Sequence, residues 1–411
     1  MFDVIIIGAG ASGLMCAIEA GKRGRKVLLI EHAKRIGQKI IMSGGGRCNF
    51  TNLYVEPSNF LCSNPHFVKS ALSRYTQWDF IALVDKHNIS WHERDHGQLF
   101  CDDSAKQIVK MLLDEAQTAG VTIKTQCEVI DHQQIADNDF AVQTNQGDFK
   151  CQSLVVATGG LSLPKLGATP FAYQLAEKYK LPVKPTRAGL VPFTLQPVLK
   201  DKLVELSGIS FPATATAIKK DAAGKESDKK GHAKRETPMS FSEALLFTHR
   251  GLSGPVILQI SNYWQAGDTI LIDLLPSQDL QRLLTKTQQD RPELALKTLL
   301  SQHLPKRVVE CLLGLAEIES RPLKQFNEKE LQQIVALFHQ WQPLINGTEG
   351  YRTAEVTLGG VDTDVISSKT MECKSVKGLY FVGEAMDVTG WLGGFNFAWC
   401  WSCGWAAGQD V

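Results

Sequence analysis

A chain of 411 residues, 44% hydrophobic and 21% charged, holds two or three domains at roughly 150 residues each, which excludes a single small module, a disordered tail or a collagen-like polymer. Lys and Arg number 44 against 43 Asp and Glu, a net charge of +1, so there is no global electrostatic reason to bind nucleic acid or anionic lipid. No apolar run approaches the ~18 residues needed to span a bilayer. Met1-Phe2-Asp3 and the short run Val4 to Ile7 lack a basic segment and a small-residue cleavage site. The ten cysteines are scattered, as expected of reduced thiols. The expected setting is cytoplasmic, with a small-molecule substrate, no membrane and no nucleic acid.

In chain order, Val4 to Ile7 predicts a buried strand, Gly8 to Gly13 a turn, Leu14 to Gly24 a helix of small residues, and Lys26 to Glu31 a second strand. This is a βαβ unit. Short strands follow at Val121 to Lys124, Glu128 to Asp131, Phe140 to Thr144 and Leu154 to Ala157, continuing that sheet or forming a meander beside it. From about Leu181, prolines 182, 185, 192, 197 and 212 punctuate β segments such as Thr214 to Ile218, a pattern of a separate antiparallel barrel or sandwich. Lys219 to Glu236, rich in Lys, reads as a solvated hairpin tip, with a partner-binding basic loop as the competing reading. Between Ser277 and Trp341, Leu280, Leu283, Leu284 and then Leu331, Ile334, Val335, Phe338 recur at helical spacing. Strand and turn signals of the opening domain return at Leu358-Gly359-Gly360 and Leu379 to Gly383. The expected division is a discontinuous nucleotide-binding domain, 1–190 and 349–411, with a β-barrel-like insert at 191–275 and a helical insert at 276–348.

Gly8-Ala9-Gly10-Ala11-Ser12-Gly13 follows a strand and opens a helix. In that setting Gly8 permits the tight turn, Gly10 lets the backbone approach a pyrophosphate, and Gly13 lets helix and strand pack closely. The helix N-terminus offers N–H groups and a positive dipole end to phosphates. Glu31, at the end of the second strand, is placed to accept bonds from ribose hydroxyls and to repel a 2′-phosphate. The choice between FAD and NAD turns on later segments. Val155 to Gly160 and Gly378 to Glu384 are strand exits ending in glycine, and an acid after the second suits a ribityl chain. Gly393-Gly394-Phe395-Asn396 precedes a helix whose N-terminus would stabilise negative charge on a reduced flavin. The three agree on FAD.

The chain also resembles the BaiN-like (YhiN-like) group of bacterial FAD-dependent oxidoreductases. The resemblance rests on Ser43-Gly44-Gly45-Gly46-Arg47-Cys48-Asn49, on Gly159-Gly160-Leu161-Ser162 with Pro164 and Gly167, on Phe247 to Pro255, on Ala354 to Val361, on Gly383-Glu384 with Asp387, and on Gly393 to Asn396. It implies an α/β fold, a Rossmann-like FAD domain of the glutathione-reductase type interrupted by a β-barrel-like domain and a helical insert. It further implies FAD contacts from Gly8, Gly10, Ala11, Ser12, Gly13, Glu31, Lys39, Gly45, Gly46, Arg47, Cys48, Asn49, Val129, Thr158, Gly159 and Gly160, and from Gly383, Glu384, Asp387, Gly393, Gly394, Phe395, Asn396 and Phe397. Phe395 stands where the group usually carries Tyr, and Cys400 and Cys403 where small residues are usual.

Cys400-Trp401-Ser402-Cys403 has the spacing of a dithiol redox pair, but on a Trp-rich apolar helix the reading preferred is core packing. Cys48 reads as a neighbour of the flavin rather than a nucleophile. His249 is a candidate proton donor, against a structural role. His87, His92 and His96 share no metal spacing, and no metal is expected. The leading function is an oxidoreductase moving a hydride between FAD and a small organic substrate. With one GxGxxG, NAD(P)H is expected only as a transient donor. The alternatives are a flavin oxidase of a small amine that uses O₂, and an FAD-binding RNA-associated factor.

Overall fold

A computed structural model describes residues 1–219 and 238–411 of the chain. All of the Lys-rich segment beyond Lys219 up to Glu236 lies outside the described residues. The chain divides into two compact units, one of Met1–Ala188 with Glu355–Val411, the other of Gly189–Ala354.

The first unit is built on β1 (Phe2–Ile7) and β2 (Val27–Ile30), joined by helix α1 (Ala11–Lys22). Both strands read as nearly continuous apolar runs because they lie inside a parallel sheet, covered on both faces. The helix starts at Ala11, three residues earlier than the apolar pattern predicts, because Gly10 already serves as its N-cap in extended conformation. Further along are β3 (Asn49–Asn52), β4 (Phe60–Leu61), β5 (Trp91–Arg94), β6 (Gln98–Cys101), β7 (Thr122–Lys124), β8 (Val129–Ala136), β9 (Asp139–Thr144) and β10 (Gly147–Val156). The main sheet has the order β7-β2-β1-β10-β9-β8, and the strand Leu379–Phe381 also pairs with β10. β10 serves both expected arrangements. Its first half, Gly147 to Cys151, pairs antiparallel with β9 as a meander, and its second half runs parallel to β1.

Register decides where a site can form. Ile7 lies beside Ile30 and Val156, and Val156 beside Phe381. Four parallel strands therefore end level, and the residues that follow each of them leave the sheet at one carboxyl edge, the place where open α/β sheets bind ligands.

The C-terminal helix Phe395–Gly408 packs on α1. A Cβ on Gly404 would lie 2.5 Å from the Ser12 carbonyl oxygen, so the two backbones touch there. Its tryptophans fill the core, Trp401 stacking on Phe80 at 4.2 Å between centroids. A separate three-stranded antiparallel sheet, β3-β6-β5, belongs to the same unit.

The second unit has a six-stranded antiparallel sheet in the order Thr269–Asp273, Ser210–Ile218, Ser240–Phe247, Gly251–Ser253, Phe193–Leu195, Ile345–Thr348. Its helices are Leu280–Asp290, Leu296–Leu300, Lys306–Leu315 and Glu328–His339, with shorter ones at Pro197–Leu203 and Pro255–Ser261. The strand Ile345–Thr348 comes from the stretch assigned above to the helical insert, and Trp341 bridges to Ile272. Sheet and helices thus share one compact unit.

Candidate functional site

The site grows from the carboxyl edge of the main sheet. Gly8 leaves β1 with φ +107°, and a Cβ there would meet the Ala157 carbonyl oxygen at 2.5 Å. A Cβ on Gly13 would fall 1.9 Å from the Gly8 oxygen. Both glycines are therefore required by the packing of turn, helix and β10. Gly10 differs. A Cβ there meets nothing within 4 Å, and the residue lines an open cavity together with Gly8, Ala11 and Ser12. No side chain caps α1, so the cavity receives the positive end of a 12-residue helix.

Glu31 lines the same cavity. Its Oε2 accepts from the Ala9 N–H and its Oε1 from the Ala33 N–H, both at 2.9 Å, which fixes the carboxylate at the end of β2. Each oxygen keeps lone-pair capacity for a hydroxyl. His32 and Arg35 stand beside it on the cavity wall, His32 lying against Gly167, where a Cβ would meet Nε2 at 2.8 Å. Val129 lines the same cavity with Cys127 and Glu128.

Across the cavity, β10 exits into Ala157, Thr158, Gly159 and Gly160. Gly159 has φ +74° and open space where a Cβ would stand. The Thr158 hydroxyl is buried and has no hydrogen-bond partner, a strong reason to expect a polar ligand group beside it. Glu384, following the strand Leu379–Phe381, accepts from the Thr357 N–H at 2.7 Å and the Ser162 hydroxyl at 3.0 Å, and pairs with Lys39 at 2.6 Å. Lys39 also donates to Ser162 at 2.7 Å. Phe397 and Cys400 from the C-terminal helix complete the wall. A helix N-terminus, an acid at the end of the second strand, an orphaned hydroxyl and two glycines open to the cavity together fit FAD. Gly10 and Ser12 would face its phosphates, and Glu31 its adenosine ribose.

The other expected contacts are placed as follows. Gly45 and Gly46 have positive φ and nothing within 4 Å of a Cβ, and Arg47 is exposed. Cys48 is fully buried with φ +50°, and burial pushes its thiol well up. Asn49 faces Gln98 at 2.9 Å. Gly383 is buried against the Ser12 hydroxyl, 2.5 Å from where its Cβ would be. Asp387 accepts from the Ser63 N–H at 3.0 Å. A Cβ on Gly393 would stand 3.1 Å from Gln98 Cγ, and one on Gly394 2.3 Å from the Thr51 oxygen. Phe395 packs edge-on against Phe60 and Trp391. The Asn396 amide closes the turn at Gly390, accepting from its N–H at 2.8 Å and donating to its oxygen at 3.0 Å. The side chains of Asp387 and Asn396 are thus engaged within the protein. His249 is exposed on the turn before the strand Gly251–Ser253, in the second unit.

Burial pushes the Cys400 thiol up to about 12 and holds Cys403 well above its ordinary value. Cys403 Sγ instead accepts from the Gly383 N–H at 3.1 Å. Both cysteines are free, and neutral thiols in such a setting are poor nucleophiles. Sequence reasoning missed His32, Arg35, Ser162 and Leu166 as cavity residues. The run Gly159 to Gly167 held the one signal for the last two, since glycines 159 and 167 both take positive φ. Among the described residues no group of His, Cys, Asp and Glu could hold a metal, and no helix is long and apolar enough to cross a membrane.

Three curated relatives match nearly end to end. A protein of Escherichia coli named ribosomal RNA dihydrouridine synthase is 54% identical over 412 residues, covering 100% of this chain and 98% of its own. A Haemophilus influenzae protein of the same name is 50% identical, covering 99% and 98%. The 3-dehydro-bile acid delta(4,6)-reductase of Clostridium scindens is 27% identical, covering 98% and 97%. The family model described as HI0933-like protein Rossmann domain matches residues 2–410. The chain accordingly belongs to the HI0933-like family and is an FAD-dependent oxidoreductase built on a Rossmann-like α/β fold.

Proposed function

We propose that this protein reduces the C5=C6 double bond of a uridine in ribosomal RNA. The observation that carries the reading is the 54% identity, spanning the whole chain, to a protein named for that product. The 27% relative, a reductase by name, supports reduction over amine oxidation. In uridine the C5=C6 bond is conjugated with the C4 carbonyl, so hydride goes to C6 and a proton to C5. FAD, once reduced, supplies the hydride, and NAD(P)H is the proposed transient donor of the electrons. The chain's own residues bind and orient the cofactor. The α1 N-terminus holds phosphate negative charge, Glu31 takes ribose hydroxyls, and the Lys39–Glu384–Ser162 cluster fixes polar groups near the last strand exit. A net charge of +1 argues against broad electrostatic adhesion to RNA, and the reading needs only one recognised position.

The test incubates the FAD-loaded protein with NADH or NADPH and protein-free ribosomal RNA, then digests the RNA and measures nucleoside masses. A uridine heavier by two hydrogens at one position is expected. Ribosomal RNA unchanged with both nicotinamides, while the bound FAD is reduced and reoxidised, would overturn the reading.

A further inference from the structure

The Asn49 amide lies between three backbone groups. The orientation that satisfies them has Nδ2 donating to the Thr51 oxygen at 3.1 Å and the Leu99 oxygen at 3.3 Å, with Oδ1 accepting from the Gly394 N–H at 3.2 Å. Backbone groups cannot turn over, so they fix which end of the amide is oxygen. That oxygen then faces the Gln98 amide at 2.9 Å, and Gln98 must present its Nε2 there. Among the described residues Asn49 is the one side-chain partner of the Gln98 amide. Gln98 is left with one N–H and one carbonyl oxygen, coplanar, adjacent and of fixed order.

Gln98 also sits at a particular place. Its Cγ and Cδ lie 3.1 and 3.2 Å from where a Cβ of Gly393 would be, and the end of the amide turned away from Asn49, the oxygen in this orientation, lies at 3.4 Å. Gly394 caps the helix whose Phe397 and Cys400 line the cofactor cavity. Buried Asn52 ties the same corner together, donating to the Gly393 oxygen at 2.8 Å and the His96 oxygen at 3.0 Å.

From this we infer that Gln98 is a specificity residue that reads an imide edge, a ring N–H next to a carbonyl, and that Asn49 is the positioning residue that sets its orientation. A carboxamide with one donor and one acceptor side by side is the complement of that edge. Two sources carry the same chemistry, the pyrimidine end of the isoalloxazine ring and a uracil base. The uracil source rests on the proposed rRNA reading; the flavin source does not.

The experiment uses the full-length FAD-loaded protein and the variant Gln98→Leu, which keeps volume and removes both polar groups. Loss of a net hydrogen bond corresponds to about a three- to tenfold effect. If uracil is read, KM for ribosomal RNA rises by that factor while the absorption spectrum and potential of bound FAD stay put. If the flavin is read, the spectrum and potential shift and kcat falls at unchanged KM. Asn49→Ala should reproduce the same signature, and the two changes together should be less than additive, because Asn49 acts in part through Gln98 and in part through its own bonds to Thr51, Leu99 and Gly394. A folded, FAD-replete Gln98→Leu with spectrum, potential and KM all within twofold of the parent overturns the inference, as does an additive double variant. Should the parent protein not act on ribosomal RNA, the flavin signature alone decides, and its absence overturns the inference.

Discussion

Gly10 and Gly13 belong to one turn, yet substitution should separate their roles. Gly13→Ala drives a methyl group into the Gly8 carbonyl oxygen, 1.9 Å away, and overpacking of this kind costs about 1–3 kcal/mol. The melting temperature of the apoprotein should fall by several degrees. Gly10 has φ −85°, a value any residue adopts, and open space beyond it. Gly10→Val should lower apoprotein melting by less than Gly13→Ala does, the cost of a poorer N-cap residue, and raise the FAD dissociation constant at least tenfold. Equal melting losses in both variants would show that the Gly10 side of the turn is packed rather than open. Glu31 combines the two roles. Because it accepts two backbone N–H groups, Glu31→Ala should weaken FAD retention and also destabilise the apoprotein by about 1–3 kcal/mol, the cost of orphaning such donors. Sequence alone suggests only the first effect. An apoprotein melting curve unmoved by Glu31→Ala would mean that water replaces the carboxylate without loss.

At the scale of elements, the C-terminal helix determines how the Cys400/Cys403 pair behaves. Both thiols are held neutral at pH 7 by burial, and Cys403 accepts a bond from Gly383. Cys400→Ser with Cys403→Ser should therefore leave turnover within about twofold. Cys403, fully buried, should resist alkylation in the native protein and react once it is unfolded. Turnover that stops after one half-reaction in a folded, FAD-replete double variant would instead make the pair redox-active. The βαβ unit was legible because its signals are local: strand, turn and helix lie within thirty residues, and each glycine answers to a constraint a few residues away. The cavity's far wall was legible only through separate strand exits, since nothing in sequence shows that Ile7, Ile30, Val156 and Phe381 end level. Asp387 and Asn396 carry the right chemistry for ligands, but their bonds to Ser63 and to the Gly390 turn depend on partners that folding alone reveals. Gln98 was invisible for the same reason, its meaning residing in Asn49 and Gly394.

Across the molecule as a whole, acid stability should depend on Glu115. This buried carboxylate receives hydrogen bonds from Lys86 at 2.7 Å, from His87 at 2.8 Å when that ring carries the proton, and an ion pair from Lys22 at 3.2 Å. Burial alone would push its pKa up; the three donors overcome that and bring it down to about 2. A carboxylate whose folded value lies below its unfolded one stabilises above the unfolded value, about 4.3, and loses that contribution as pH falls through the folded value. The window is therefore about pH 4.3 to 2. Glu115→Gln should lower stability at pH 7 by about 1–3 kcal/mol and flatten the loss between pH 4 and 2, measured by denaturant unfolding. Parallel curves for parent and variant across that window would remove Glu115 from the acid response.

The insertion of residues 189–354 into the first unit also sets an order of events during synthesis. β10 is made early, but its parallel neighbour Leu379–Phe381 and the helix Phe395–Gly408 that covers α1 come after the whole second unit. At a translation rate of about 5–20 residues per second, β10 waits on the order of 10–45 s for that neighbour. Throughout that interval the phosphate turn exists while Glu384 and Phe397 do not, so the cavity lacks a wall. Flavin capture is consequently a closing event of biogenesis, and a nascent chain halted before Leu379 should remain colourless.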